Sequence, residues 1–246
     1  MTLYEWFRRL TFPIMPVHLQ TVHKDIKALV LKTRKSKEPI KILDVGGRKS
    51  PYTIGIPASV ALLDVPQEHA VQEQLGLGFT DSILTGLQQK RSNISELIIQ
   101  DMTASTLEPD QYDAVVSIEV IEHVEADALF VHHIAQVIKP GGWAYFTTPN
   151  GDYIKNEGPD KNPDHVRHYT KKELQSLMER YFDRVEVHYA VATGKYRLWG
   201  LKSFKLKKPW RLVKSVAGNI INSYESRHVA DRPVKTGHLV AVGYKD

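Results

Sequence analysis

Apolar residues along this chain gather into short dense runs, separated by stretches where they return every three or four positions. The runs at Ile40–Val45, Ser59–Asp64, Leu97–Gln100, Tyr112–Ile118, Trp143–Thr148, Arg184–Ala192 and His238–Tyr244 each predict a strand. Tyr112–Ile118 is nearly continuous and rich in β-branched residues, as suits a strand covered on both faces. Leu19, Val22, Ile26, Leu29 and Val30 share a helical stripe, so residues 1–38 read as a helical cap on the body that follows, 39–246. Phe130, Ile134, Val137 and Ile138 predict a helix over Asp127–Ile138, ended by Lys139-Pro140-Gly141-Gly142. Thr170-Lys171-Lys172-Glu173 is a capping box, opening a helix whose inner face is Leu174, Leu177, Met178 and Tyr181. Residues 65–95 are polar and helical in tendency, with a break near Gly76-Leu77-Gly78. Strands alternating with helices predict an α/β, doubly wound, mainly parallel sheet with helices on both faces.

Chemistry enters at the first two strands. Ile42-Leu43-Asp44-Val45-Gly46-Gly47 runs into a turn of small residues, and about twenty residues after Asp44 the second strand ends in Asp64. A small-residue loop lets backbone approach a ligand, and a carboxylate at the next strand's tip accepts from a ribose diol, so the pair predicts a nucleoside-type cofactor across the strand ends.

The 246 residues suffice for one domain, and no apolar stretch approaches the roughly 20 residues that cross a bilayer. The N-terminus lacks the apolar core of a signal peptide, and the chain has no cysteine, which excludes disulfides and thiolate metal sites and favours a cytoplasmic setting. The net charge of +5 is unevenly spread. Residues 187–224 hold no acid, while Lys195, Arg197, Lys202, Lys205, Lys207, Lys208, Arg211 and Lys214 alternate with Tyr196, Trp199, Phe204 and Trp210. This basic aromatic insertion, at about 193–235, can meet phosphates, an acidic ligand or a peripheral membrane surface through residues 195–214, or simply face water.

The fourth and fifth strands carry a resemblance. Tyr112 through Val124, then Ile138-Lys139-Pro140-Gly141-Gly142-Trp143, then Thr147-Thr148-Pro149-Asn150, together resemble the class I S-adenosylmethionine-dependent methyltransferases over about 60% of the chain. The resemblance implies a seven-stranded sheet of order 3-2-1-4-5-7-6 with an antiparallel seventh strand. It places Asp44, Gly46 and Gly47 beneath the methionine portion, and Asp64 on the ribose. Asp101 and Met102 fall at the adenine edge, and Ser117, Ile118 and Glu119 near the sulfonium. One departure stands out: Arg48 and Ser50 occupy the later two glycine positions of the family's first loop.

Glu119, Glu122 and His123 are spaced i, i+3, i+4, so on a helical turn they would share one face. Two carboxylates and an imidazole suit a divalent cation such as Mg²⁺, Mn²⁺ or Zn²⁺, with His165, from the Asp164–His168 segment, as a fourth ligand. The alternative is that Glu122 and His123 brace the loop without an ion. Without metal, His123, His165 or His168 can act as general base. The E-x-x-E-H run resembles both ubiquinone-pathway O-methyltransferases and small-RNA 2′-O-methyltransferases. The expected activity is O-methylation of a small-molecule metabolite, with His123, Glu119 and His165 as catalytic candidates. An RNA ribose methyltransferase and a catalytically silent interaction protein are the rivals, although no separate RNA-binding module is recognisable.

Overall fold

A computed structural model of the chain describes residues 1–34, 38–47, 50–65, 86–87, 89–159, 161–201 and 209–246. Residues 66–85 of the expected helical stretch, including its break at Gly76–Gly78, Arg48 of the first loop, and Lys202–Lys208 of the basic segment lie outside the described residues.

Seven strands form one sheet: β1 (Lys41–Val45), β2 (Ser59–Asp64), β3 (Ile94–Ile99), β4 (Tyr112–Ile118), β5 (Ile138–Pro149), β6 (Arg184–Ala192) and β7 (Thr236–Tyr244). Their order is β3-β2-β1-β4-β5-β7-β6, as the resemblance implied. β1 lies parallel between β2 (Leu43 beside Ala61) and β4 (Leu43 beside Val115), and β7 runs antiparallel to both β5 and β6. β3 begins three residues earlier than the sequence predicts. It is the edge strand, half exposed, and so its alternation is faint.

Side chains leave the central strands alternately toward two apolar layers. Leu43, Val45, Val115, Ala144 and Phe146 point to one, where they meet helices α3 (Asp127–Val137) and α4 (Lys171–Met178). The second layer takes Ile42, Ala114, Val116, Trp143 and Tyr145. Over it lies α2 (Val17–Thr33), the longer of two N-terminal helices after α1 (Leu3–Thr11), and its Val22, Ile26 and Val30 are fully buried. This helix also satisfies the two polar groups buried beneath it. Thr33 Oγ1 accepts from Trp143 Nε1 at 2.9 Å, and Asp25 accepts from the Tyr145 hydroxyl at 2.9 Å. The helical stripe thus packs on the body, and α2 is one wall of the core.

The capping box forms as read: Thr170 accepts from the Glu173 amide, and Glu173 from the Thr170 amide. Lys139–Gly142, expected as a turn, is instead drawn into β5, with a shift of register against β4. Gly142 packs so closely that a Cβ there would lie 2.7 Å from the Asp113 carbonyl oxygen. Beyond β6, the insertion folds into α5 (Lys195–Gly200) and α6 (Pro209–Glu225).

Truncating a fully buried α2 side chain tests that helix's place in the core. Ile26→Ala should lower unfolding stability by about 2–5 kcal/mol in urea titration; a loss below about 1 kcal/mol would mean that α2 separates from the domain.

Candidate active site

The tips of the parallel strands form an open cleft of about 810 Å³, bordered by Gly46, Asp64, Asp101, Thr103, Glu119, Val120 and His123. Beside it a smaller hollow of about 230 Å³ is lined by Asp44, Gly46, Tyr52 and Ile118. Gly46 takes φ of +73°, and a Cβ on it would come within 2.6 Å of Val120. Only glycine fits that turn, which brings the first loop against the segment leaving β4. Asp44 sits beneath, buried, accepting from the Thr53 hydroxyl at 2.6 Å. Thr53 in turn accepts from buried Arg91, which also reaches the Ser50 carbonyl. Burial pushes the Asp44 carboxyl up, and the Arg91 charge and Thr53 hydroxyl oppose it. The loop that lacks the later glycines is thus anchored by side chains that the sequence reading did not single out.

Asp64 and Asp101 stand on adjacent strand ends at the cleft's rim. Asp101 also caps a short 3₁₀ turn, accepting from the Thr103 amide at 2.8 Å. Met102 lies in that turn, buried in the apolar layer, with its carbonyl oxygen 3.0 Å from His133 Nδ1. Ser117 is buried with its hydroxyl unpartnered. Glu125 and Asp164 add to the cleft's acids, and among the described lining residues there is no lysine or arginine. Such a surface suits a ligand bearing positive charge and hydroxyl donors.

Past β4 the chain does not form the single helical face expected of Glu119, Glu122 and His123. Glu119 adopts φ of +55°, and a 3₁₀ turn follows at Ile121–His123. The residues are thereby divided between two clusters. Glu119 accepts from the Thr147 hydroxyl at 2.7 Å and from His238 Nδ1 at 3.1 Å, with His18 Nε2 at 3.7 Å. The His18 and His238 rings stack at 3.9 Å, and Arg197 of α5 donates to His238 Nε2 at 2.7 Å. An Arg donor on Nε2 fixes His238 with its proton on Nδ1. Burial would raise the Glu119 carboxyl, but His238, His18 and Thr147 outweigh it and hold the group well below the usual carboxylate range. None of His18, Arg197 and His238 lies in a recognisable motif; tertiary folding alone gathers them.

The other cluster is Glu122, His123 and His165, whose ligand atoms all lie within 4.8 Å of one another. The loop after β5 brings His165 there. Buried Asn150 donates to Thr236 and to the Pro233 carbonyl, tying that loop to β7. Val166 N–H donates to the Glu122 carbonyl at 2.8 Å, and Asn156 holds the His165 carbonyl at 2.8 Å. His123 Nδ1 donates to the Asp164 carbonyl at 2.7 Å. His168 Nδ1 donates to the Ile154 carbonyl, so its Nε2 accepts from His165 Nδ1, both at 2.7 Å. His168 is therefore a support, and both His123 and His165 keep their Nε2 lone pairs. Glu122 is 1% exposed, with Oε2 unpartnered. Burial and the Glu119 charge push its carboxyl well above the ordinary range.

Comparisons with known proteins identify the family. The family described as a methyltransferase domain matches residues 18–181. The chain belongs to that methyltransferase family. It is 25% identical over 202 residues to the ubiquinone biosynthesis O-methyltransferase of Coxiella burnetii, covering 72% of this chain and 75% of that one. It is 29% identical over 153 residues to the protein of the same name from Burkholderia vietnamiensis, covering 56% and 62%. Among solved structures, geranyl diphosphate C-methyltransferase from Streptomyces coelicolor, in complex with Mg²⁺, geranyl diphosphate and S-adenosyl-L-homocysteine, superposes with a TM-score of 0.54 at 12% identity, over 91% of this chain and 79% of that one. Haemonchus contortus phosphoethanolamine N-methyltransferase 2 in complex with S-adenosyl-L-methionine gives 0.55 at 13%, over 90% and 52%. These two share the fold. The methyl donor of this methyltransferase is S-adenosylmethionine, a sulfonium cation whose charge and ribose diol fit the acidic, glycine-turned cleft.

Two outcomes are expected. Asp64→Ala should weaken S-adenosylhomocysteine binding by roughly 10- to 100-fold in calorimetry, the loss of charge-assisted bonds to the diol. His18, pushed by burial from 6.5 down to about 3, stays neutral in the fold while the unfolded chain takes up a proton below pH 6.5. Stability should therefore fall as pH drops from 6.5 toward 3, by roughly 1.4 kcal/mol per unit from this group. Urea titrations of wild type and His18→Asn at about pH 7.5 and about pH 5 would show the variant losing that part of the slope.

Proposed function

We propose that this methyltransferase moves the methyl group to a hydroxyl oxygen of a small-molecule metabolite, and that the acceptor oxygen is presented at Glu122, His123 and His165 with a divalent cation, Mg²⁺, Mn²⁺ or Zn²⁺, held by those three side chains. The observation that carries this reading is Glu122, a buried carboxyl group with an unpartnered oxygen beside two imidazoles whose Nδ1 atoms are already engaged. Two imidazoles and one carboxylate are a donor set that binds divalent metals, and neighbouring hydrogen bonds already orient both rings for it. Relatives bearing the name ubiquinone biosynthesis O-methyltransferase support an oxygen acceptor.

The donor supplies an electrophilic methyl on sulfur. Transfer forms a carbon–oxygen bond as the carbon–sulfur bond breaks, and the acceptor's proton must leave. A cation in the cluster would lower the hydroxyl's pKa. The cleft's part is to hold oxygen, carbon and sulfur in line. Glu119, stabilised as an anion by Thr147 and His238, sits at the cleft where it favours the donor's positive charge. A metal-free variant of the reading uses the same atoms, with His123 or His165 taking the proton directly. The absence of cysteine supports a reducing, cytoplasmic setting, and the acidic cleft favours a small acceptor over RNA.

Chelation separates the two forms. EDTA should lower turnover at least about 100-fold, with recovery on adding Mg²⁺, Mn²⁺ or Zn²⁺, and Glu122→Gln should abolish metal binding in calorimetry while S-adenosylhomocysteine still binds. Full activity after chelation, lost only in His123→Ala or His165→Ala, would assign the proton to an imidazole and remove the cation.

A further inference from the structure

Two helices of this chain are folded inside out. In α1 the single acid, Glu5, is 3% exposed and turned into the protein, where its carboxylate accepts from the Ser92 amide and hydroxyl at 2.8–2.9 Å. The opposite face carries Leu3, Trp6, Phe7 and Leu10, all exposed, Leu3 at 85%. In α6 the buried residues are Ser215, Gly218, Asn219 and Asn222. Ser215 and Asn219 bond the Gly200 carbonyl, Asn219 also donates to the Ile14 carbonyl at 2.8 Å, and Asn222 donates to the Ala192 carbonyl at 2.8 Å. The outer face of α6 is Trp210, Val213, Ile220 and Tyr224, with Trp210 at 78% exposure. A surface helix of a water-soluble fold has the reverse polarity.

α6 lies next to the turn that follows α1, seated there by the Asn219 bond to Ile14. α5, whose Arg197 reaches His238, packs on α6 at Gly218 and leaves Leu198 and Leu201 exposed beside it. The charge around this surface is mainly basic, with Glu225 at the end of α6 an exposed acid. Residues 1–24 contain no acid but Glu5, residues 187–224 contain none, and Arg9, Arg211 and Lys214 are exposed on the helices themselves. No helix among the described residues is long and apolar enough to cross a membrane. Outward aromatic and aliphatic side chains with basic flanks, on helices that cannot span, are what an interfacial helix needs to lie in the headgroup layer.

We infer that α1 and α6 together form a docking surface for an anionic lipid bilayer, into which Trp6, Phe7, Trp210 and Ile220 insert. The lipid surface then borders the acceptor side of the site, because α5 links the exposed leucines to Arg197, His238 and Glu119.

The test is co-sedimentation of the full chain with phosphatidylcholine vesicles and with vesicles containing about one-third phosphatidylglycerol, read together with tryptophan quenching by bromine-labelled acyl chains. Binding should be at least about tenfold tighter to the anionic vesicles, weaken with salt, and quench tryptophan. Trp6→Ser combined with Trp210→Ser should lower it at least about tenfold, and Arg9→Glu combined with Arg211→Glu should remove the preference for anionic lipid. All four positions face outward, so the melting temperature should stay near that of the wild type. No binding to anionic vesicles, or equal binding by the double variants, would overturn the inference. So would a dimer in sedimentation equilibrium that dissociates in the tryptophan variant, since a second copy would then be what covers the face.

Discussion

The chain leaves the sheet at Glu119 in a left-handed backbone conformation, and the whole arrangement of the site follows from that one turn. A residue with a side chain pays on the order of 1–2 kcal/mol for such a φ, so its surroundings must hold it there. They do so from both ends of the residue: the Glu119 amide donates to the Thr147 carbonyl at 3.0 Å, while its carboxylate accepts from Thr147 and His238. Reversing the chain here gives Glu119 and Glu122 different partners. Two acids that a helix would have stacked on one face end in different environments, one held ionised by its partners and the other buried against two imidazoles. Splitting like charges in this way gives each its own chemistry.

The supports of the site come from three separate parts of the chain. α2 supplies His18 while its apolar stripe walls the core, so the same helix stabilises the sheet and lines the site. The loop after β5 supplies His165 and His168, and Asn150 ties its base to β7. α5 supplies Arg197. Each of these elements is anchored by buried hydrogen bonds rather than by apolar packing alone, which gives the polar atoms around the cleft fixed directions. The inverted polarity of α1 and α6 belongs to the same logic, since their polar residues bind the backbone of the body and leave apolar side chains for an external surface.

Much of this was legible in the residue pattern. The continuous apolar runs of β1, β4 and β5 announced a sheet covered on both sides, because a strand buried twice has no polar face. The capping box at Thr170 was readable because its partners are three residues apart. Asp44, Gly46 and Asp64 were readable as well, because a turn and two strand tips are local features. The i, i+3, i+4 reading of Glu119, Glu122 and His123 failed as geometry for a local reason too: spacing assumes a helix, and the backbone there is not one.

By itself, then, the sequence determined the sheet, the glycine turn after its first strand and the presence of an acid-and-histidine segment after the fourth strand, all set by neighbours within a few residues. Only the tertiary structure decided that His18 and His238, 220 positions apart in the chain, stack on one carboxylate, and that His165 rather than Glu119 completes the second cluster. It likewise decided that α1 and α6 turn their apolar sides outward. Periodicity reveals that a helix has two faces, but which face is buried depends on the polar partners the rest of the fold places opposite, here Ser92 for Glu5 and the backbone carbonyls of Ile14, Ala192 and Gly200 for α6.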